Sequence, residues 1–361
     1  MAKQFVSSLG RRAEDSSTRI REFLLQGPSQ QHSGDHRGAV AGTLDADGSA
    51  VYVYGEITGY YLHWLASLPM DQATLFSRAE AAQAWLQGYL HSTSMPLTRV
   101  YLHAAAEDWR NQALFAFDLA MIAGGLARAS CSKLIGLSPA MVTDLQHWLL
   151  PFVDDSGLTV CLPRQQTSQL PQRWSTTGGS FTAKTASRIL LLQAETALHP
   201  ALVQACRTEL QTRVLRAEQH GIDMLHPTLY GLEGCMTSPT ADFERLAHWF
   251  DQIIALQADD GSLPESPASA SVRRTDIIAQ ALRVAVFLES VLAQPGRYRE
   301  ACDAFAQALL LRVHEDGSIA FSTDSNNETN VWCAMFAEQA LRLYAAYAHA
   351  QPLPFTVEAL V

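Results

Sequence analysis

The chain is poor in charge and has no excess of basic residues. Asp, Glu, Lys and Arg make up 17% of its 361 residues, and 26 basic side chains stand against 36 acidic ones, for a net charge of −10. A nucleic-acid partner requires a basic face for its phosphates, so we expect none. An anionic small molecule stays compatible with this balance, because a local group of arginines can lie in an acidic protein.

Cysteine patterns, a signal peptide and long apolar runs are also missing. No cysteine belongs to a CxxC motif or a zinc-like spacing, and the N-terminal residues lack an apolar core. No window reaches the ~18 apolar residues of a membrane span. We therefore predict a cytoplasmic protein without a membrane span. We also predict reduced, buried thiols at Cys131, Cys161, Cys206, Cys235, Cys302 and Cys333.

Helical periodicity dominates the chain, and clear strands are scarce. Hydrophobic residues make up 48% of the sequence, and apolar positions recur at the helical period over most of it. Short extended pieces are predicted at 97–102 and 157–162. The periodicity predicts twelve helices, at 8–26, 56–68, 71–91, 108–128, 138–150, 181–194, 198–219, 226–238, 240–257, 273–293, 297–313 and 328–348.

The predicted helices alternate in kind. The second helix of each pair is amphipathic, whereas the first is apolar all round and begins with polar residues, which is typical of a buried inner helix. This alternation predicts an all-α (α/α)6 toroid, with an inner and an outer ring and few or no strands. Ring closure explains how one domain can exceed the usual core size. We expect 51–361 to form the toroid and 1–50 to be an N-terminal helix and a long loop packed on it.

Two further patterns support a ring of repeated hairpins. The turn sequence Asp-Gly-Ser recurs ahead of inner helices at 47–49, 260–262 and 316–318. Glycines in inner helices cost about 1 kcal/mol each relative to alanine, and close approach of neighbouring helices is a reason to keep them. Such contacts are predicted at positions 59, 124, 125, 231 and 234.

One inner helix carries an unusual polar stripe near its start. His226, Tyr230 and Glu233 have the spacing i, i+4, i+7, which places them on one helix face. Pro227 suits the first turn of a helix. The stripe either faces a cavity, or consists of an N-terminal cap, a tyrosine tip in water and a surface ion pair.

The other inner helices also begin with polar residues, which a toroid brings together at one funnel. Asp118 and Arg283 could instead pair with each other, and Asp276, Gln280 and Arg283 could form a network within one helix. A lined funnel accounts for all six helices at once. Its candidate residues outside the 226–233 stripe are Glu56, Thr58, Tyr60, Tyr61, Asp118, Thr182, Lys184, Ser187, Arg188, Arg273, Arg274, Asp276, Gln280, Arg283, Asn330, Trp332, Glu338 and Gln339.

These residues predict general acid–base chemistry. Burial raises carboxylate pKa values and suits one of them to proton donation. We assign the catalytic role to Glu56, His226, Tyr230 and Asp276. Arginine is favoured for bidentate binding of an anionic group. The aromatic candidates for stacking on sugar faces, unless they are simply part of the core, are Tyr60, Tyr61, Trp109 and Trp332. The predicted substrate-binding residues are Tyr60, Asp118, Lys184, Glu233, Arg273, Gln280, Arg283, Asn330 and Trp332.

Motifs for other chemistries are lacking. There is no phosphate-binding glycine loop, no HExxH and no GxSxG. A zinc-dependent cyclase requires Asp, Cys and His ligands near the mouth, but Cys235, nine residues after His226, faces another side of its helix. We predict no metal and no cofactor.

Five segments carry motifs that occur in the same order in one known group of proteins. They are 54–61, 117–126, 181–188, 226–234 and 330–341. These segments resemble motifs of bacterial (α/α)6-toroid proteins linked to polysaccharide biosynthesis, and the resemblance runs over about residues 50–345. It implies kinship with six-hairpin glycoside hydrolases, polysaccharide lyases and sugar epimerases, and a sugar substrate. Glu233 stands where the group tends to have arginine, and Gly55 replaces the proline before Glu56.

We therefore expect an enzyme that acts on an anionic, uronate-like saccharide by hydrolysis, β-elimination or epimerisation. A Tyr/His pair favours proton abstraction beside a carboxylate, whereas two carboxylates that flank a bond favour hydrolysis. The alternatives are a tailoring enzyme or cyclase acting on a peptide or isoprenoid intermediate of a biosynthetic cluster, and a binding protein without chemistry.

Overall fold

The chain folds largely into helices, as shown by a computed structural model that describes residues 2–103, 106–155, 157–269, 271–322 and 328–361. Thirteen α-helices lie within these ranges. They are α1 Ala2–Gln26, α2 Gly55–Leu65, α3 Gln72–Leu90, α4 Ala116–Cys131, α5 Pro139–Leu149, α6 Trp174–Thr177, α7 Thr182–Leu192, α8 Pro200–His220, α9 Leu225–Met236, α10 Phe243–Ile254, α11 Thr275–Val291, α12 Arg299–Leu310 and α13 Val331–Ala348.

The long helices form the two rings of an (α/α)6 toroid, which confirms the predicted fold. The inner ring runs α2, α4, α7, α9, α11 and α13, each packed on the next, and α13 closes on α2. These helices are buried over nearly their whole length. The outer helices are α3, α5, α8, α10, α12 and α1. The first helix of the chain therefore lies outside the last one, where Arg21 bonds Glu338 at 2.9 Å. The boundary between 1–50 and 51–361 stays a prediction.

Glycines allow the inner helices to approach closely, as predicted. A Cβ atom on Gly125 of α4 would lie 2.1 Å from the carbonyl oxygen of Gly59 on α2. One on Gly234 of α9 would lie 2.3 Å from the backbone of Lys184 on α7. No side chain fits at such distances, so these glycines set the spacing of the inner ring.

Short strands link the outer helices to the inner ones. The predicted helix 108–128 is wrong at its start: 109–112 is a 3-10 turn capped by Asp108, and a strand precedes α4 at Ala116. That strand pairs with Cys161–Pro163, so its main chain cannot be helical. The strands are β1 Ala41–Leu44, β2 Ala50–Tyr54, β3 Arg99–Tyr101, β4 Ala113–Phe115, β5 Val153–Asp154, β6 Gly157–Leu158, β7 Cys161–Pro163 and β8 Thr329–Asn330.

Strands β2, β4 and β8 each run directly into an inner helix. One sheet has the order β3-β2-β1-β8, and Thr43 of β1 pairs with Asn330 of β8. The sheet therefore joins the entrances of α2 and α13, the first and last inner helices. This arrangement fixes the side chains at the starts of those helices relative to each other.

The cysteine prediction is correct for bonding but only partly for burial. All six cysteines are free, and Cys206, Cys235, Cys302 and Cys333 are buried. Cys131, in contrast, is exposed at the C-terminal end of α4, where the inner helix leaves the core. Among the described helices, none combines the length and apolarity that a bilayer span requires.

Candidate active site

A cavity of about 780 Å³ opens at the N-terminal ends of the inner helices. All six inner helices contribute a residue at or next to their starts. Phe181 supplies the lining residue at the start of α7. The predicted residues that line the cavity are Glu56, Trp109, Asp118, His226, Tyr230, Arg274, Asn330 and Trp332. The funnel inferred from the polar starts of the inner helices is therefore present as a cavity.

His226 lies on the cavity wall as a neutral imidazole. Its Nδ1 atom is 2.7 Å from Oε1 of Gln280 and 3.5 Å from Oδ2 of Asp276. Both neighbours are acceptors, so the ring proton resides on Nδ1 and the lone pair on Nε2. Burial lowers the pKa of His226 to about 4, although the Asp276 carboxylate opposes this change. His226 is therefore a ready proton acceptor at neutral pH.

Asp276 lies behind His226, away from the cavity. Burial alone would raise the pKa of Asp276, but Arg274, His226 and the backbone N–H of Ile277 together hold it below its usual value. Arg274 bonds the carboxylate through two nitrogens, at 3.1 and 2.5 Å, and also donates to Glu265 at 3.0 Å. Asp276 is thus an ionised group that orients the imidazole.

Glu56 and Asp118 form a pair of carboxyl groups at the starts of α2 and α4. The Tyr54 hydroxyl donates to Oδ2 of Asp118 at 3.1 Å. Burial raises the pKa of Glu56 to about 7, which hydrogen bonding with Tyr54 and the charges of Arg99 and other cations only partly oppose. Burial and the charge of Glu56 raise the pKa of Asp118 well above its usual value. The pair therefore retains a proton near pH 7, ready for donation.

Tyr230 forms the floor of the cavity. Its ring centroid is 4.5 Å from that of His226 and 4.9 Å from that of Phe117. Tyr60 is buried below it, and the two hydroxyls are 2.9 Å apart. Burial raises the pKa values of both phenols well above 10. Both tyrosines are thus neutral hydrogen-bonding groups, and of the two only Tyr230 lines the cavity.

Glu233, Lys184 and Arg283 lie below the cavity floor in a sealed ion cluster. The two Glu233 oxygens accept from Nζ of Lys184 and from Arg283, each at 2.6 Å, and all three side chains have zero exposure. Lys184 also donates to the main-chain oxygen of Val361 at 2.7 Å. The structure thus ties three predicted substrate-binding residues into the core.

The remaining predicted residues lie at the rim or outside it. Arg273 bonds both carboxylate oxygens of Asp260, at 2.9 and 3.1 Å, in the Asp-Gly-Ser turn at 260–262. Asn330 caps α13 by accepting from the N–H of Cys333 at 3.0 Å. Trp332 lines the cavity edge, 6.0 Å from the Phe321 ring. Gln280 acts through its contact with His226.

Several lining residues were not predicted. Trp174 lies in the four-residue helix α6, and its ring is 5.8 Å from that of His226. Tyr54 ends strand β2, and Arg99, Arg110 and Arg173 lie on strand or turn segments. Helical periodicity cannot identify such positions. The aromatic residues that line the cavity are Tyr52, Tyr54, Tyr101, Trp109, Phe115, Phe117, Trp174, Phe181, Tyr230, Phe321 and Trp332.

A metal site requires several donor side chains gathered at one point. Within the described part of the chain, no group of three or more His, Cys, Asp or Glu side chains is arranged to hold a metal ion.

Comparisons with known proteins identify the fold. No family profile matches the chain, and neither does any curated protein sequence. Among solved structures, a sugar epimerase from a ruminal bacterium has a TM-score of 0.68 and 10% identity over 94% of this chain and 99% of its own. A D-mannose isomerase has a TM-score of 0.67 and 11% identity over 93% and 97%.

A third neighbour is a type II terpene cyclase from Scytonema, solved with geranylgeranyl dihydroxybenzoate. Its TM-score is 0.60, with 13% identity over 94% of this chain and 99% of that one. At these identities the likeness establishes a shared (α/α)6-toroid fold. Function has to be argued from the site.

Proposed function

We propose that this protein is a carbohydrate-active enzyme that moves a proton at a carbon next to a sugar carbonyl group, as an epimerase or an isomerase does. The proposal rests on one observation: the same cavity is lined by an unprotonated base and by a protonated acid. His226 is neutral at pH 7, and the Glu56–Asp118 pair holds a proton. Such opposed settings are what general acid–base catalysis requires.

The reaction then runs as follows. Nε2 of His226 removes the proton on the carbon next to the carbonyl group, and the electron pair of that C–H bond forms an enol. The carbonyl oxygen receives its proton from Glu56. His226 then returns its proton to the former carbonyl carbon while the neighbouring hydroxyl gives its proton to the Glu56 carboxylate, which moves the carbonyl group and gives the isomer. If the intermediate first turns its other face to His226, the proton returns to the original carbon on that face while the enol hydroxyl gives its proton back to Glu56, which gives the epimer. Tyr230 donates a hydrogen bond to a substrate oxygen, and Trp174 and Trp332 contact the sugar ring.

Several structural neighbours are named for reactions on sugars, glycosidases among them. They include a sugar epimerase, a cellobiose 2-epimerase and a D-mannose isomerase. Hydrolysis requires two carboxyl groups on either side of the scissile bond, whereas Glu56 and Asp118 lie at the starts of the neighbouring helices α2 and α4 and both contact the Tyr54 hydroxyl. β-Elimination needs the same base and requires in addition a leaving group beside a uronate.

The test is solvent exchange. The protein is incubated in D2O with glucose, mannose, cellobiose and glucuronate, and the sugars are followed by proton NMR. We expect loss of the C2 proton signal in at least one sugar, and a new isomer. His226→Asn should slow exchange by about 10²–10⁴-fold. The exposed Arg207→Ala variant serves as a folded control. If no sugar in the panel exchanges, the proposal fails.

A second candidate is a proton-initiated cyclisation of an isoprenoid. It is favoured by a protonated carboxylic acid, Asp118, in a cavity lined by many aromatic rings, which stabilise carbocations. Asp118 would protonate a double bond, and His226 would take the final proton. Incubation with a polyprenylated aromatic acid should give a cyclic isomer of unchanged mass, which Asp118→Asn abolishes. Recovery of only the linear substrate excludes this candidate.

A further inference from the structure

Three arginines form a cluster at the rim of the cavity, on the wall that carries the acid pair, and two of them lie over the ring of Trp109. The guanidinium carbons of Arg110 and Arg173 lie 4.7 and 5.8 Å from the Trp109 ring centroid. Arg99 joins them through Asp108, which accepts from Arg99 at 3.1 Å and from Arg110 at 3.2 Å. All three arginines and Trp109 line the cavity.

This cluster carries a local excess of positive charge. Asp108 is shared by Arg99 and Arg110, and it therefore balances only one of their two charges. Arg173 is exposed and forms no ion pair with a side chain in the described part of the chain. The three come from separate segments, β3, the 3-10 turn at 109–112 and the start of α6. Like charges gathered in this way repel one another unless an anion joins them.

We propose that Arg110 and Arg173, backed by Arg99, bind the anionic group of the substrate, a carboxylate or a phosphate monoester. The inference rests on the proposed function for the identity of the rest of the ligand, a sugar. It names the substrate class as a sugar acid or a sugar phosphate. Arginine suits both groups because its planar fork donates two parallel hydrogen bonds. The arginines Arg273 and Arg283, expected to hold the anion, already have carboxylate partners.

The position of the cluster gives the anion a second effect. Arg99 and Arg110 are among the charges that oppose the raised pKa values of Glu56 and Asp118. An anion bound between these arginines cancels part of their field. Binding of a charged substrate therefore strengthens retention of the proton on the acid pair, so that recognition of the anion supports proton donation.

Anion binding is tested by calorimetry, which requires no turnover. The probes are glucose, glucuronate, glucose 6-phosphate and inorganic phosphate, titrated into the wild type and into His226→Asn. We expect one or both charged sugars to bind at least tenfold more tightly than glucose. The two sugars distinguish a carboxylate site from a phosphate site. His226→Asn should bind them as the wild type does, so a failure of the proposed chemistry is separable from a failure of this inference.

The variants Arg173→Ala and Arg110→Ala should each weaken binding of the charged sugar by at least tenfold. Arg207→Ala removes a charge from the exposed face of α8 and should change the Kd less than twofold. Arg173 is exposed, so its variant should fold, and circular dichroism checks Arg110→Ala. Equal Kd values for glucose and both charged sugars would overturn the proposal. So would Arg173→Ala binding as tightly as Arg207→Ala.

Discussion

Nδ1 of His226 lies 2.7 Å from Oε1 of Gln280, one and a half turns into the neighbouring inner helix α11. This bond fixes the ring orientation and the tautomer, and it leaves Nε2 as the basic nitrogen. Gln280 has zero exposure and does not line the cavity. It is therefore a positioning residue that acts on the substrate only through His226.

Substitution at Gln280 should change the pH dependence of catalysis in a direction set by charge. The Gln280 bond raises the pKa of His226, against the lowering caused by burial. Gln280→Leu should therefore move the acidic limb of the kcat/KM profile below pH 4, and Gln280→Glu should move it above. We expect kcat to fall about tenfold in Gln280→Leu, the value of one hydrogen bond, with KM little changed. An acidic limb at the same pH in the wild type, Gln280→Leu and Gln280→Glu would contradict the role assigned to Gln280.

Glu56 should produce the basic limb of the profile. Proton donation needs the protonated form, and burial raises the pKa of Glu56 to about 7. The rate should therefore fall as the pH rises through about 7. Glu56→Gln cannot donate a proton, so kcat/KM should fall about 10²-fold or more, and the limb near pH 7 should disappear from the remaining rate. A basic limb that persists unchanged in Glu56→Gln would assign the donor elsewhere.

The same shift affects stability. A carboxyl group whose pKa is raised by folding stabilises the fold least when it is ionised, so the wild type should lose stability as the pH rises from about 4.5 to 7. Glu56→Gln removes this loss. Urea unfolding should show that the free energy of unfolding of the variant, relative to the wild type, is higher at pH 8 than at pH 5, by at most about 3 kcal/mol. A constant difference between the two pH values would show that Glu56 does not titrate as described.

The sequence was sufficient to predict the toroid, because the polarity pattern of each helix indicates whether it lies in the inner or the outer ring. Inner helices such as α9 and α11 are apolar on all sides, and outer helices such as α10 have one wet face. The polar starts of the inner helices also identified part of the cavity wall, at the helix entrances, but not the strand, turn and aromatic residues that make up most of the lining. The strands before α2, α4 and α13 were missed, because two to five residues in extended form show too little alternation to be recognised.

Depth along a helix explains which predicted residues lie away from the cavity. Glu233 shares a face with His226 but lies seven residues further on, about 10 Å deeper at 1.5 Å per residue. Tyr230 forms the floor between them, so Glu233 pairs with Lys184 and Arg283 instead. The periodicity of a sequence predicts which face of a helix a residue lies on, but it does not predict how far along the helix a cavity extends. Rim residues such as Arg173 lie in segments without periodicity.

The buried ion cluster should contribute to stability rather than to chemistry. Glu233→Gln removes the carboxylate that Lys184 and Arg283 share in a region of zero exposure. We expect a loss of about 3–5 kcal/mol in the free energy of unfolding. Glu244→Gln makes the same chemical change in an ion pair with Arg297, where Glu244 is 60% exposed, and should cost at most about 1 kcal/mol. Urea denaturation that ranks the two variants equally would contradict the sealed cluster.

The contact between α2 and α4 should be the position in the ring least tolerant of an added methyl group. A Cβ at residue 125 would lie 2.1 Å from the Gly59 carbonyl oxygen, and one at Gly59 would lie 2.6 Å from that of Met121. Backbone atoms cannot move aside as a flexible side chain can, so Gly125→Ala should force the two helices apart. That separation shifts Glu56 relative to Asp118. We expect a loss of about 3 kcal/mol or more in stability, beyond ordinary overpacking.

The matched control is Gly88→Ala in the outer helix α3. No atom lies within 4 Å of the position of its Cβ, and the residue is exposed. The substitution should therefore stabilise the protein by about 0.5–1 kcal/mol, the helix-propensity difference between the two residues. Thermal and urea unfolding of both variants measure the contrast. If Gly125→Ala is also stabilising, the two helices are further apart than described, and the spacing of the acid pair must be set by other contacts.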